Sequence, residues 1–169
     1  MAFNTKINCD NTITGVERMS ELLFKQLKLT RDRFVKRVQS INPETVEIQP
    51  EGFNNNIHWM VGHVLTVAEQ FFFGYPEKST HLPTNYKELF GGGTKPADWT
   101  SDVPTVSVLV GQLEEQFERI IQIPSSQFSE KLDKPFLGCE TFGELASFGV
   151  YHEALHLGQI QTLARLIEA

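Results

Sequence analysis

Two histidines stand four residues apart in the stretch Tyr151-His152-Glu153-Ala154-Leu155-His156. In a helix, residues at that spacing share one face, one turn above the other. Two imidazoles so placed can bind a single ion, and neutral imidazole suits zinc, nickel, iron and copper. The stripe that carries them runs through Leu145, Gly149, His152, His156, Gln159 or Ile160, and Leu163, and reads as a core-facing surface. Histidines buried there without a hydrogen bond or a metal would be costly, on the order of a few kcal/mol.

The same stretch spells His-Glu-x-x-His, the zinc-protease signature in which Glu153 would be the general base. The context departs from it. Only 13 residues follow His156, Gly158 comes two places after that histidine rather than three, and no further histidine follows. Glu153 is therefore expected to be solvated or bonded near the site rather than catalytic.

A third ligand must come from upstream. Trp59, His63 and Val67 share an apolar face at intervals of four, which turns His63 inward. His58 lies about 140° around the same helix, so the two cannot easily both point inward. His63 is the expected ligand, His58 a first-turn residue near the N-cap, and His81, in a long loop, the reserve. Three histidines leave coordination positions open, the pattern of catalytic rather than structural zinc sites. Water would fill the gap, with its pKa lowered by the metal.

These motifs resemble those of the DinB-like metal-binding four-helix proteins. Asn56-Ile57-His58-Trp59-Met60-Val61-Gly62-His63 is similar to that family's helix-two motif, a tryptophan followed four residues later by a ligand histidine. Thr141-Phe142-Gly143-Glu144-Leu145 is similar to its helix-four opening, and Tyr151–Ile160, with two histidines followed by Gly158-Gln159, to its most specific signature. The resemblance implies an all-α four-helix bundle with a long crossover between helices two and three. It implies metal ligands His63, His152 and His156, frequent homodimers and bacterial, cytoplasmic relatives. Relatives with known activity include bacillithiol- or mycothiol-dependent transferases and a mycothiol-dependent maleylpyruvate isomerase, which use the metal to lower a thiol's pKa. Nickel or zinc is the first expectation for the ion, with iron and manganese also compatible, and a low-molecular-weight thiol is the expected co-substrate of a small electrophile. Two other functions fit an open histidine site: a non-catalytic metal or small-ligand binding stress protein, and a metal-assisted hydrolase.

Four helical segments must position these residues. The first, from about Thr12 to Ser40, ends at Asn42-Pro43, because proline disfavours helix at the residue before it. The second runs from about Asn55 to Phe73, with an asparagine cap and a stop at Gly74 and Pro76. About 30 residues then connect it to the third, an unusual length for a loop in a compact domain, with a short helix expected near Thr84–Phe90. So long a connection permits helices two and three to run parallel. The third runs from Thr105 to Gln122, and residues 129–140 read as extended or turned. The fourth opens on a capping box, Thr141-Phe142-Gly143-Glu144, and continues to about Ile167. Gly158, inside that helix, is expected to permit close helix packing. Gln159 is expected to bond a ligand imidazole or to form an ordinary buried polar pair, and Trp59 to be core beside the site.

The 169 residues are 40% hydrophobic and 21% charged, the composition of one soluble domain spanning 1–169. A net charge of −6 repels polyanions, which argues against nucleic-acid partners. The basic residues of Lys25–Arg37 are expected to form a solvated face. No run approaches a membrane span. Cys9 and Cys139 match no ligand spacing and suit a reducing compartment, so the cytoplasm is the expected location.

Overall fold

The computed structural model describes residues 15–75, 78–100 and 102–169. Four long helices carry the architecture: α1 (Gly15–Gln39), α3 (Ile57–Phe73), α5 (Val106–Ile120) and α6 (Phe142–Glu168). Two short ones, α2 (Pro43–Val46) and α4 (Tyr86–Phe90), lie in the connections. The long helices close a ring, in which α1 packs on α6, α6 on α3, α3 on α5 and α5 on α1. The fold is therefore an all-α bundle, as expected. None of the described helices is long and apolar enough to cross a membrane.

Local chemistry accounts for the boundaries. Asn42-Pro43 ends α1 as expected, and the same pair starts α2: Asn42 Oδ1 accepts from the Glu44 amide at 3.0 Å with proline at the first position. Asn56 caps α3, accepting from the Trp59 amide at 2.8 Å. The capping box of α6 is complete, with the Glu144 amide 3.3 Å from Thr141 Oγ1 and Glu144 Oε2 accepting from the Thr141 amide at 3.0 Å. The expected first turn of the first helix, residues 12–14, falls outside the described residues.

Residues 129–140 settle as an antiparallel hairpin, β1 (Lys131–Phe136) against β2 (Cys139–Thr141). Leu137 and Gly138 turn it with φ of 53° and 81°. Two positive values in succession suit a tight hairpin turn, natural for Gly138 and strained for Leu137.

The described part of the long connection between α3 and α5 is tied to the bundle. The Trp59 indole donates to Thr94 Oγ1 at 2.9 Å, and the Trp99 indole to the Leu89 carbonyl at 3.0 Å. These bonds fasten α4 and the segment after it onto α3.

The apolar interior comes in two clusters. One holds Phe34, Val38, Trp59, Leu65, Phe90, Leu109, Leu113, Ile160 and Leu163 among others. The second holds Leu23, Leu27, Phe71, Phe72, Ile120, Phe128 and Leu145 among others. Along every long helix a buried polar residue stands where the two meet: Arg31 on α1, Glu69 on α3, Gln116 on α5 and Glu153 on α6. Passing along the chain, α1 and α6 run from the second cluster to the first, and α3 and α5 from the first to the second. So α3 and α5 are parallel, the arrangement that a long crossover permits.

Candidate metal centre

His63 on α3 is buried, and His152 and His156 on α6 are half-buried against it. Their rings converge through one kind of atom. Nε2 of His152 lies 3.2 Å from Nε2 of His63 and 3.2 Å from Nε2 of His156. The Trp59 ring stacks on His63 at 4.4 Å between centroids and 14° between planes. Phe71 meets His152 edge-on at 6.0 Å.

Two glycines let the elements come this close. A Cβ at Gly149 would lie 3.1 Å from the Phe72 ring and 3.4 Å from that of Phe71, so a bare backbone at 149 sets how near α6 sits to α3. A Cβ at Gly62 would fall 2.3 Å from the Phe90 ring. The missing side chain at 62 admits Phe90, and the Phe90 carbonyl lies 2.7 Å from His63 Nδ1. A carbonyl can only accept, so Nδ1 of His63 carries the proton. In the neutral ring Nε2 is then a bare lone pair aimed at the other two imidazoles. This is the orienting arrangement that metal-ligating histidines use.

Electrostatics keep the trio neutral. Burial lowers the pKa of His63, with the Phe90 carbonyl opposing it. Burial, and then the neighbouring His156 and His63, lower His152 to about 3. Burial and His63 lower His156 to about 4, a fall tempered by the nearby Gln159 side chain. Neutral imidazole is the ligating form.

Within the trio the nitrogens are not satisfied. One Nε2 proton on His152 could serve His63 or His156 but not both, and His156 Nδ1 is buried with no hydrogen-bond partner. A metal ion fits better. With metal–nitrogen bonds of about 2.0–2.1 Å, nitrogens 3.2 Å apart subtend roughly 100° at the ion, near the tetrahedral angle. His63, His152 and His156 are thus a group that could hold one ion.

The model of the DinB superfamily matches residues 26–160. The chain belongs to the DinB superfamily. No curated relative matches it. Among solved structures, a conserved protein from Enterococcus faecalis is similar to it in fold, with a TM-score of 0.63 at 16% identity, over 88% of this chain and 96% of that one. This DinB-superfamily chain therefore carries both the bundle and the three-histidine cluster that its motifs implied.

The remaining candidates lie elsewhere. His58 sits in the first turn of α3, as expected, but it is buried like His63, so both histidines of this helix turn inward, onto different neighbours. Its Nδ1 is 2.7 Å from Glu47 Oε1 and its Nε2 2.8 Å from the Pro104 carbonyl, which ties α3 to the segments before it and before α5. Both of its ring nitrogens are thereby committed away from the histidine trio. His81 is exposed and pairs with Glu115 at 3.1 Å.

Several expectations need correction. Glu153 is neither solvated nor at the site: it is buried and accepts two hydrogen bonds from Arg31, from Nε at 2.7 Å and from Nη2 at 2.8 Å. Arg31 accordingly leaves the solvated basic face to which it was assigned, because its guanidinium faces Glu153 across the interior. Gly158 is exposed, and a Cβ there would meet nothing within 4 Å, so helix packing does not explain it. Of the two roles expected for Gln159, the buried pair fails because the residue is exposed, while its side chain does act on the His156 imidazole. Cys139 is buried, and burial followed by the Glu144 charge pushes its thiol up. Cys9 lies outside the described residues.

The sequence reading missed Phe90, Gly62 and Gly149. Gly62 and Gly149 carried a legible signal, each being a glycine inside a helix within three residues of a ligand candidate. The Phe90 contribution is a backbone carbonyl, on which side-chain identity is silent.

Proposed function

We propose that His63, His152 and His156 bind one divalent ion, nickel or zinc, and that this open site serves an enzyme transferring a low-molecular-weight thiol of the bacillithiol or mycothiol kind to a small electrophile. The observation that carries the reading is the convergence of three Nε2 atoms, one of them oriented by the Phe90 carbonyl. Three protein ligands leave room for an exogenous one. An ion bound there would lower the pKa of a coordinated thiol, so that thiolate forms near neutral pH.

The chain's own residues supply the rest. Phe90 holds the His63 proton on Nδ1, and burial keeps the three imidazoles in the ligating form. Trp59 covers one face of His63 and limits water there. Commitment of Glu153 to Arg31 removes the nearest sequence candidate for the general base of a hydrolase, which favours thiol transfer over hydrolysis.

Elemental analysis of protein purified without an affinity nickel column tests the centre. About one ion per chain is expected, falling sharply in His63→Ala; a mutant with the full complement would remove His63 from the ligand set. Turnover of halogenated aromatics with bacillithiol or mycothiol tests the chemistry. Absence of metal-dependent product across that panel would sink the transferase reading and leave a binding module.

A further inference from the structure

Gly158 needs a reason that helix packing does not supply. A glycine inside a helix is disfavoured relative to alanine. Gly62, Gly143 and Gly149 each answer to a close neighbour, namely the Phe90 ring, the Phe128 carbonyl and the Phe72 ring. Gly158 faces open space. That space is a cavity of about 750 Å³ walled by the loop Gly52–Asn55, by Trp59 and Met60 at the start of α3, and by Leu155–Leu163 of α6. Its volume is that of a small-molecule site.

Three further observations join this cavity to the histidine centre. His156 borders it, as does Trp59, whose ring stacks on His63. Among the described residues, two buried side-chain atoms lack a hydrogen-bond partner, Asn55 Oδ1 and His156 Nδ1, and both belong to residues bordering this cavity. Buried polar atoms without partners are rare in folded chains and ask for an explanation such as a ligand, water or ion. Finally, among the described residues no Asp, Glu, Lys or Arg lines the cavity. Its polar members are Asn54, Asn55, Gln159 and Thr162, set among Phe53, Trp59, Met60, Leu155 and Leu163. Amides and a hydroxyl can pair with hydroxyl and amide groups, but they offer no counter-charge to a carboxylate or phosphate leaving water.

We infer that this cavity is the substrate subsite of the histidine centre, that Gly158 keeps it open, and that it takes an uncharged organic ligand combining an apolar face with hydroxyl or amide groups. The inference rests on the metal-centre reading above and narrows it. Of the thiols that reading admits, it selects a neutral carrier such as mycothiol over one bearing carboxylates such as bacillithiol. A side chain at 158 would occupy the volume beside His156 without touching the fold.

The experiment uses metal-loaded wild type, Gly158→Leu and Gly111→Leu, each with its ion content measured. Gly111, in α5, is likewise exposed with nothing within 4 Å of a built Cβ, and it does not line the cavity. Mycothiol and bacillithiol are titrated by calorimetry. Expected are wild-type binding of mycothiol, at least about tenfold tighter than bacillithiol; its loss by about tenfold or more in Gly158→Leu at unchanged ion content; and no change in Gly111→Leu. Equal binding by Gly158→Leu and wild type would overturn the subsite while leaving the metal centre standing. Preference for bacillithiol, or binding of neither thiol by the loaded wild type, would overturn the neutral-ligand assignment. An ion content near zero in all three proteins would instead defeat the metal-centre reading itself, and with it the inference.

Discussion

His152 and Glu153 are neighbours on α6, yet they belong to opposite kinds of polar cluster. Glu153 enters a network closed on itself. It pairs twice with Arg31, which also donates to the Leu113 carbonyl and to Gln116 Oε1 at 3.3 Å. Gln116 Nε2 donates to Glu69 Oε2 at 2.8 Å, and Arg119 donates to both Glu69 oxygens, at 2.8 and 3.1 Å, with its guanidinium 4.1 Å over the Phe73 ring. Ser79 donates to Glu69 as well. All four long helices contribute, and each charge has its counter-charge. The histidine side holds three neutral bases facing one another. One cluster is complete as a structure; the other leaves His156 Nδ1 without a hydrogen-bond partner and, on the reading proposed above, would be completed by an ion. About 100° of helix rotation per residue separates them.

The largest consequence of that difference falls on the closed side. Glu153→Ala leaves Arg31 charged and buried, and removing one partner of a buried pair costs about 3–5 kcal/mol. In a domain of this size that is a melting temperature lower by roughly 6–20 °C. The double variant Arg31→Met/Glu153→Leu removes both charges and is expected to regain most of the loss. Thermal unfolding of the three proteins checks it. If Glu153→Ala melts with wild type, the network is not the closed structural knot described.

Acid separates the two clusters by window. The folded pKa values of His152 and His156, about 3 and about 4, lie below the ordinary 6.5. The unfolded chain therefore takes up protons as the pH falls through about 6.5, while the folded chain stays neutral until about 4. Stability of the metal-free protein drops across that interval, because the unfolded state binds more protons there. Glu69 behaves differently. Burial opposes its ionisation, but the hydrogen bonds from Arg119, Ser79 and Gln116 outweigh that and hold its carboxyl below the usual 4.5. Its contribution is intact above 4.5 and lost as the pH falls through its lowered value. Melting temperature of metal-free protein against pH should thus begin to fall near 6.5, and His152→Leu should flatten the curve between 6.5 and 4 while leaving the loss below 4.5. An identical slope in both proteins would dissolve the contrast.

The two regions also differ in how far residue type alone disclosed them. The histidine trio was legible because helical periodicity maps spacing onto faces: four residues apart for His152 and His156, an apolar stripe for His63. The capping box at Thr141 and the asparagine caps were legible because they are local. Arg31 was misassigned because its partners are 82 to 122 positions away in the chain, and a basic residue in a charged helix reads as solvated until its packing face is known. Even so, Arg31 shares the four-residue spacing of Leu23 and Leu27, the buried stripe of α1. Glu153 was misplaced because the protease motif drew attention to chemistry rather than to the helix's second buried face. The hairpin at residues 131–141 was seen only as extended or turned chain, since its register depends on pairing.

The smallest expected effects come from glycines beside the histidines, and there the sign is the test. Gly62→Ala drives a methyl into the Phe90 ring, with 2.3 Å available, and overpacking of this kind costs about 1–3 kcal/mol. The displaced Phe90 would also withdraw its carbonyl from His63 Nδ1, and loss of such an orienting bond weakens metal binding by about 10–100-fold. Gly158→Ala meets nothing, has ordinary negative φ, and exchanges a poor helix former for the best one. It should raise stability by up to about 1 kcal/mol. Denaturant unfolding of the metal-free variants reads both, and opposite signs are expected from the same chemical change four residues or fewer from a proposed ligand. If Gly158→Ala is destabilising as well, the space beside His156 is needed by the fold, and the open side of the comparison is as tightly packed as the closed one.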